Sequence, residues 1–210
     1  MKLYNLLILT VLFLIGCTAT KVTQTDVDYS QSLEKYRENY KAKFLAAERS
    51  PLSKEDLDYL RFYPAAENFK VTAKFTKTEN GKPFEVLTSS GKKKSYIEYG
   101  KATFTIRDTT CTVSLYTSMQ LRKMPQYRDY LFVPFKDFTS GETTYGGGRY
   151  IDMKTGDIQG EGDNQTVVID FNKCYNPYCA YQSEGWNCPI PPEENYLKMY
   201  IEAGEKDFAK

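Results

Sequence analysis

Residues 95–116 contain the pattern that decides the fold. Residues 102–106 read Ala-Thr-Phe-Thr-Ile, and residues 111–115 read Cys-Thr-Val-Ser-Leu, so apolar and polar side chains alternate in both runs. A period of two is typical of a strand that buries one face. Asp108-Thr109 separates the runs as a turn. This stretch therefore predicts two neighbouring strands.

Similar runs recur along the chain. Further candidate strands lie at residues 69–75, 84–87, 131–135, 149–153, 166–171 and 196–201. No long helical pattern separates them, which argues against a parallel α/β sheet. About eight short strands with this spacing predict a mainly β fold, an antiparallel barrel or sandwich. We assign residues 63–210 to this β domain.

A helical segment is predicted before the strands, over residues 31–62. Its large apolar side chains recur at spacings of three and four, at Leu33, Tyr36, Tyr40 and Phe44. This is one face of an amphipathic helix, which we expect over residues 31–48. Ser50-Pro51 ends it, because the residue before proline avoids the helical conformation.

Residues 1–16 have the features of a secretory signal. Lys2 precedes an apolar run at residues 6–15, which is too short to span a bilayer as a helix. The run ends in Leu-Ile-Gly-Cys17, which resembles the bacterial lipobox. That resemblance implies acylation of Cys17, for example with palmitate, while an ordinary signal peptide is the alternative. Thr18 at the next position suggests the outer membrane, facing the periplasm. We expect residues 17–30, which are polar and lack periodicity, to form a flexible tether.

Composition excludes several functions. The 210 residues include 28 Lys and Arg, 27 Asp and Glu, and no His. Without His there is no Ser-His-Asp triad, no Cys-His dyad and no His-ligated zinc. A formal net charge of +1 argues against nucleic-acid binding. The sequence suggests no cofactor and no metal.

Four cysteines remain if Cys17 is lipidated, and they allow three pairings. Cys179 and Cys188 bracket a short polar and aromatic loop, so we favour a disulfide there. That choice leaves Cys111 with Cys174 as the second pair. A zinc site or a reactive thiol is less favoured, because the spacing lacks Cys-x-x-Cys and no His can activate a thiol.

Two long segments resemble a known family. Residues 135–149 read Phe-Lys-Asp-Phe-Thr-Ser-Gly-Glu-Thr-Thr-Tyr-Gly-Gly-Gly-Arg. Later stretches read Asp-Phe-Asn at 170–172, Asn-Pro-Tyr-Cys-Ala at 176–180, Cys-Pro-Ile-Pro-Pro at 188–192 and Ala-Gly-Glu at 203–205. Together they resemble the bacterial and archaeal family called domain of unknown function 1684, densely over residues 131–206 and more loosely back to residue 52.

The chain departs from the family pattern at two positions. It has Tyr178 between Pro177 and Cys179, and Cys174 where Ala is commoner. Against that pattern, Cys111 and Cys174 look like additions special to this branch, consistent with their pairing. The resemblance implies a fold and a site region, but no reaction.

The polar residues of the two segments are the candidate ligand-binding residues. They are Asp137, Thr139, Ser140, Thr144, Tyr145, Arg149, Asp170, Asn172, Tyr175 and Asn176. An Arg after a glycine-rich loop can clamp a carboxylate or phosphate, but an internal ion pair of Arg149 with Asp137 or Asp170 is the favoured alternative. Asx side chains also favour turns, a purely structural role. Crowding with Tyr178 and Tyr181 suggests an aromatic-walled surface suited to sugars or peptides.

Three functions compete on these observations. The sequence favours a non-catalytic envelope lipoprotein that binds a small ligand or a partner protein. A hydrolase would use a carboxylate pair drawn from Asp137, Asp170 and Glu202, the candidate catalytic residues. A Lys136–Ser140 dyad and a calcium site in residues 152–163 are further, weaker alternatives. The third possibility is a purely structural envelope domain.

Overall fold

The chain folds as one helix followed by an antiparallel β-sheet. The computed structural model describes residues 24–209, so the predicted signal and the Cys17 lipidation site lie outside the described residues. Helix α1 (Gln24–Ala46) begins earlier than predicted, which makes residues 24–30 of the expected tether helical. Its apolar face is as predicted, with Leu33 and Phe44 buried. None of the described helices has the length and apolar character needed to cross a membrane.

Eight strands follow the helix. They are β1 (Lys70–Lys77), β2 (Pro83–Leu87), β3 (Lys93–Ile106), β4 (Thr109–Ser118), β5 (Tyr130–Phe135), β6 (Arg149–Lys154), β7 (Ile158–Gln159) and β8 (Thr166–Asp170). The order in the sheet is β6-β5-β4-β3-β1-β8-β7, with β2 paired to β3. All the strand pairings are antiparallel. The predicted mainly β fold with an N-terminal helix is therefore confirmed, and β6 and β7 remain the two ends of the strand order.

One predicted strand is wrong. Residues 196–201 form no strand and contribute only an isolated bridge between Tyr196 and Lys136. Part of the reason is that a backbone donor in this segment bonds a side chain and not a neighbouring strand, since the amide of Ile201 donates to Asp137 Oδ2 at 2.8 Å. The segment keeps its apolar residues Leu197 and Ile201 in the core without continuing a strand ladder.

The central strands are covered on both faces. Leu131 and Val133 of β5 belong to the main core, whereas Phe132 between them packs in a second cluster with Tyr96 and Tyr150. A third cluster joins α1 to the loops after it, through Phe44, Leu52, Leu57 and Leu60. Half-buried Tyr178 and Tyr181 pack on this third cluster. Helix α1 thus lies against the loop that follows β8, next to the aromatic face of the sheet.

Candidate functional site

The polar residues of segment 137–149 converge inside the protein. Arg149 is 0 % exposed. Its guanidinium donates hydrogen bonds to five groups, the carbonyls of Ile201, Ala203 and Glu205 and the side-chain oxygens of Asp137 and Thr139. Arg149 Nη2 lies 3.3 Å from Asp137 Oδ1, which is the internal ion pair that the sequence offered as an alternative to a ligand clamp. Arg149 has no open surface through which it could clamp a ligand.

Asp137 organises the loop around it. Its carboxylate accepts hydrogen bonds from the Thr139 hydroxyl at 2.8 Å, the Ser140 hydroxyl at 3.3 Å and the Ile201 amide at 2.8 Å. Thr144 closes the loop through a 2.8 Å bond with the Thr139 hydroxyl. These donors and the arginine meet the hydrogen-bonding capacity and the charge of the Asp137 carboxylate inside the protein. The contacts therefore stabilise the turn and the C-terminal segment together.

The second group of predicted residues also makes internal bonds. Asp170 accepts from the Tyr29 hydroxyl at 2.8 Å and from the Asn172 amide at 3.1 Å, which links α1 to the end of β8. Asn172 bonds both the amide and the carbonyl of Ala66. Asn176 donates its side-chain amide to the Lys206 carbonyl at 2.8 Å. These side chains fasten the loop after β8 to its surroundings.

The three candidate catalytic carboxylates do not share a cleft. Asp137 borders a cleft of about 360 Å³ that also contains Ser140, whereas Asp170 borders a different one of about 440 Å³. Glu202 is exposed and lines neither of them. A carboxylate-pair hydrolase needs its two carboxyls within roughly 5–10 Å on one substrate. Among the clefts described, none is lined by two of these three residues.

The largest cleft of those described lies between α1, the sheet and the disulfide loop, and has a volume of about 540 Å³. We call it the aromatic cleft. Its aromatic lining comes from three segments, with Tyr36, Tyr40 and Phe44 on α1, Tyr150 on β6, and Tyr175, Tyr178 and Trp186 in the loop after β8. A concave, largely aromatic cavity of this size is the usual form of a small-molecule site.

The rings of the cleft form a continuous series of contacts. Trp186 meets Tyr178 edge to face, with centroids 4.7 Å apart, and Tyr178 lies 5.5 Å from Phe44. Tyr40 continues the series to Tyr175 at 5.8 Å. Aromatic pairs at these distances add to the stability of the wall beyond simple burial. The wall is therefore preorganised by its own packing.

The charged lining of the cleft is mostly cationic. It contains Lys43, Arg49 and Lys94 against one carboxylate, Asp152. Asp152 Oδ1 accepts hydrogen bonds from Tyr130 at 2.7 Å and from Tyr175 at 2.6 Å. Burial raises the pKa of both tyrosines well above 10, so their hydroxyls stay protonated and donate. Burial also lowers the pKa of the Lys94 ammonium.

A disulfide shapes one side of the cleft. Cys179 and Cys188 are bonded, as predicted, and close the loop that carries Trp186. Arg49, which also lines the cleft, supports this loop, because it donates to the Gly185 carbonyl at 3.0 Å and lies 4.5 Å from the Trp186 ring centroid. The bond and the arginine together hold the tryptophan over the cleft.

The second predicted disulfide is wrong. Cys111 and Cys174 are both free and buried. Cys174 donates weakly to the Ala203 carbonyl at 3.6 Å, while the Cys111 sulfur lies 3.6 Å from the Met199 sulfur. Each thiol packs in the core as a small apolar group, and burial raises the pKa of both, which keeps them unreactive.

Glu205 is a buried carboxyl that sequence reasoning did not single out for a role. It is 0 % exposed, and it accepts bonds from the Asn176 amide at 2.9 Å, from Tyr181 at 2.7 Å and from Tyr40 at 3.1 Å. Burial raises its pKa to about 7, against the opposing effect of these bonds. Because Tyr40 belongs to α1, Glu205 ties the helix to the C-terminal segment.

Of the candidate ligand-binding residues, only Tyr175 lines the aromatic cleft, and Tyr178, which was expected in an aromatic wall beside them, lines it too. The residues that sequence reasoning missed come from distant segments, among them Lys94, Tyr150 and Trp186. The available signal was the aromatic stripe of α1, whose Tyr36, Tyr40 and Phe44 all line the cleft. No group of three or more Cys, Asp and Glu side chains suited to a metal ion occurs within residues 24–209, including the segment 152–163.

The fold and the cleft define a mainly β protein with an aromatic cavity covered by an N-terminal helix. The chain belongs to the family described as "Protein of unknown function (DUF1684)", whose model matches residues 55–206. It is similar to an uncharacterised protein of Haloarcula marismortui solved by solution NMR, at 27% identity and a TM-score of 0.63, over 87% of this chain and 96% of the other. No curated protein matches the chain.

Proposed function

We propose that this protein is a non-catalytic binding protein of the bacterial cell envelope, and that the aromatic cleft receives a small ligand, either a sugar or a short peptide. The observation that carries the proposal is the cleft itself, about 540 Å³ in volume and walled by Tyr178, Trp186 and Tyr175. Aromatic faces with a few polar groups between them suit sugars and peptides, whose surfaces are partly apolar and partly polar.

The absence of paired carboxylates in the cleft favours binding over hydrolysis. Asp152 is the single carboxylate among the described residues that line it. Asp137 and Arg149, the residues that a catalytic reading needs most, are buried in their own ion pair. The buried polar residues of segments 137–149 and 170–176 support the hypothesis that these loops specify the fold. The aromatic cleft, by contrast, remains open for a ligand.

The envelope location rests on the sequence of residues 1–18. The short apolar run followed by Gly-Cys17 supports a lipid anchor, and multiple acyl chains hold a protein to a membrane far better than one. Metabolic labelling with an alkyne analogue of palmitate tests it. We expect label on the wild-type protein and none on Cys17→Ala, and label that persists in Cys17→Ala would contradict the anchor.

Trp186 provides a direct assay of the cleft, because it is the one tryptophan of the chain. The probes are N-acetylglucosamine, N-acetylmuramic acid and the dipeptide alanyl-alanine, each titrated while tryptophan emission is recorded. We expect a saturable change with at least one probe in the wild type. Tyr178→Ala should weaken it, whereas Tyr127→Ala, an exposed tyrosine away from the cleft, should not. The absence of any saturable change would refute the binding function.

A further inference from the structure

Lys94 differs from the lysines beside it in the sequence. Lys93 is exposed and bonds Glu85 at 2.6 Å. Lys94, the next residue on β3, is half-buried and lines the aromatic cleft. Among the described residues, no hydrogen bond or carboxylate partner is found for its ammonium group. Burial lowers the pKa of this ammonium, with no neighbouring charge to offset the desolvation.

A half-buried ammonium without a partner is stabilised when an anion reaches it. Taking a charged group partly out of water costs free energy unless it is paired. A ligand anion in the cleft would restore that pairing through a charge-assisted hydrogen bond. Lys43, at the same cleft, adds a second positive charge nearby. The free cleft is therefore complementary to negative charge.

Asp152 does not cancel this preference. Its Oδ1 is taken by the hydroxyls of Tyr130 and Tyr175, and no ion pair joins it to Lys94. Within the described residues, its Oδ2 makes no hydrogen bond, so that oxygen can accept one from a ligand hydroxyl. Asn187 also lines this cleft, and its side-chain oxygen accepts a bond from the Ser90 hydroxyl. The amide nitrogen of Asn187 makes no bond to the described residues, which leaves it able to donate.

The aromatic wall supplies the third element of recognition. Trp186 and Tyr178 are held at right angles, with an interplanar angle of 83°. The Arg49 guanidinium lies 4.5 Å from the Trp186 ring centroid and lines the same cleft, so it adds a positive charge beside this aromatic wall. The C–H face of a sugar ring packs well on such aromatic surfaces, while its hydroxyls suit the free oxygen of Asp152.

We infer that the aromatic cleft takes an anionic sugar, with its ring against Tyr178 and Trp186 and its carboxylate or phosphate at Lys94. This inference rests on the proposed function, because it names the ligand class of the same cleft. The shared chemistry is a negative charge on a sugar ring, and both a carboxylate and a phosphate fulfil it.

Three sugars with a common ring test the inference on the full chain. N-acetylglucosamine is neutral, N-acetylmuramic acid carries a carboxylate, and N-acetylglucosamine 1-phosphate carries a phosphate. Titration of Trp186 emission gives a Kd for each. We expect at least one anionic sugar to bind about tenfold or more tightly than the neutral one, and its Kd to rise with salt. The two anionic arms distinguish a carboxylate ligand from a phosphate ligand.

Matched variants locate the charge. Lys94→Met should reduce the affinity for the anionic sugar about tenfold and leave the affinity for N-acetylglucosamine unchanged, and Lys94→Arg should restore most of the loss. Lys92→Met is the control, because Lys92 is exposed and lies outside the cleft lining. Equal affinities for the three sugars, or an effect of Lys92→Met as large as that of Lys94→Met, would overturn the inference that Lys94 binds an anionic group. The proposed binding function of the cleft would still stand. No saturable response to any of them would contradict both.

Discussion

Replacing Arg149 with methionine separates a structural role from a ligand-binding one. Methionine keeps most of the apolar volume but removes the guanidinium from its five oxygen partners. Asp137, which is 1 % exposed, then stays buried without its cation. Breaking a buried ion pair costs about 3–5 kcal/mol, and carbonyls left without a donor add about 1–3 kcal/mol each where water cannot reach them.

The expected loss is therefore at least about 4 kcal/mol, a large fraction of the roughly 5–15 kcal/mol that stabilises a typical domain. Urea denaturation at pH 7, followed by far-UV circular dichroism and Trp186 emission, measures it. Arg122→Met is the control, because Arg122 is exposed and a change there should stay within about 0.5 kcal/mol.

A double variant keeps the reasoning testable if Arg149→Met fails to fold. Arg149→Met with Asp137→Asn removes both charges, so it should be more stable than the sum of the two single losses predicts. A single variant Arg149→Met that stays within about 1 kcal/mol of the wild type while losing ligand binding would refute the structural role. It would then place Arg149 in a site that opens in solution.

Three further outcomes follow from buried groups. Burial raises the pKa of Glu205 to about 7 from 4.5, so the folded state holds this proton more tightly than the unfolded state does. The stability that this group contributes is therefore full below pH 4.5 and is lost as the pH rises through 7. Between pH 5 and 8, the free energy of unfolding measured by urea denaturation should fall by about 3 kcal/mol more in the wild type than in Glu205→Gln. Parallel plots of this free energy against pH for the two proteins would contradict the expectation. Cys179→Ser with Cys188→Ser should cost about 2–3 kcal/mol and lower the Tm, as should reductant added to the wild type. Asn195→Ala should cost about 3 kcal/mol, because the Asn195 amide bonds both the amide and the carbonyl of Ser114; a loss below about 1 kcal/mol would exclude that role.

The strands with alternating apolar and polar residues were predictable, because such a strand buries one face. Residues 102–106 and 111–115 alternate, and they pair along β3 and β4 as expected. The strand β7, only two residues long, carries no pattern that a window can detect. The strand predicted at residues 196–201 is wrong for a different reason. The segment has apolar residues at alternate positions, but its backbone bonds the Asp137 carboxylate and forms an isolated bridge, so it does not join a strand ladder.

The candidate site was less predictable than the fold. A polar residue in a sequence carries no mark of its burial, so the sequence left both a ligand-binding and an internal structural role open for Asp137, Thr139 and Arg149, and the structure buries all three. The aromatic cleft is assembled from α1, β3, β6 and the loop after β8, whose separation in the chain hides their proximity. Tyr175 was the single predicted ligand residue that reached it.

Local chemistry in the sequence thus determined which residues alternate, where α1 presents its apolar face, and that Cys179 and Cys188 can bridge a short loop. These features depend on neighbours a few positions apart, and such spacing is visible in a single chain. The tertiary structure alone decided that Arg149 points inward, that Cys111 and Cys174 stay apart, and that Lys94 lines an aromatic cleft. Those outcomes depend on which distant segments exclude water together, a property that no local pattern contains.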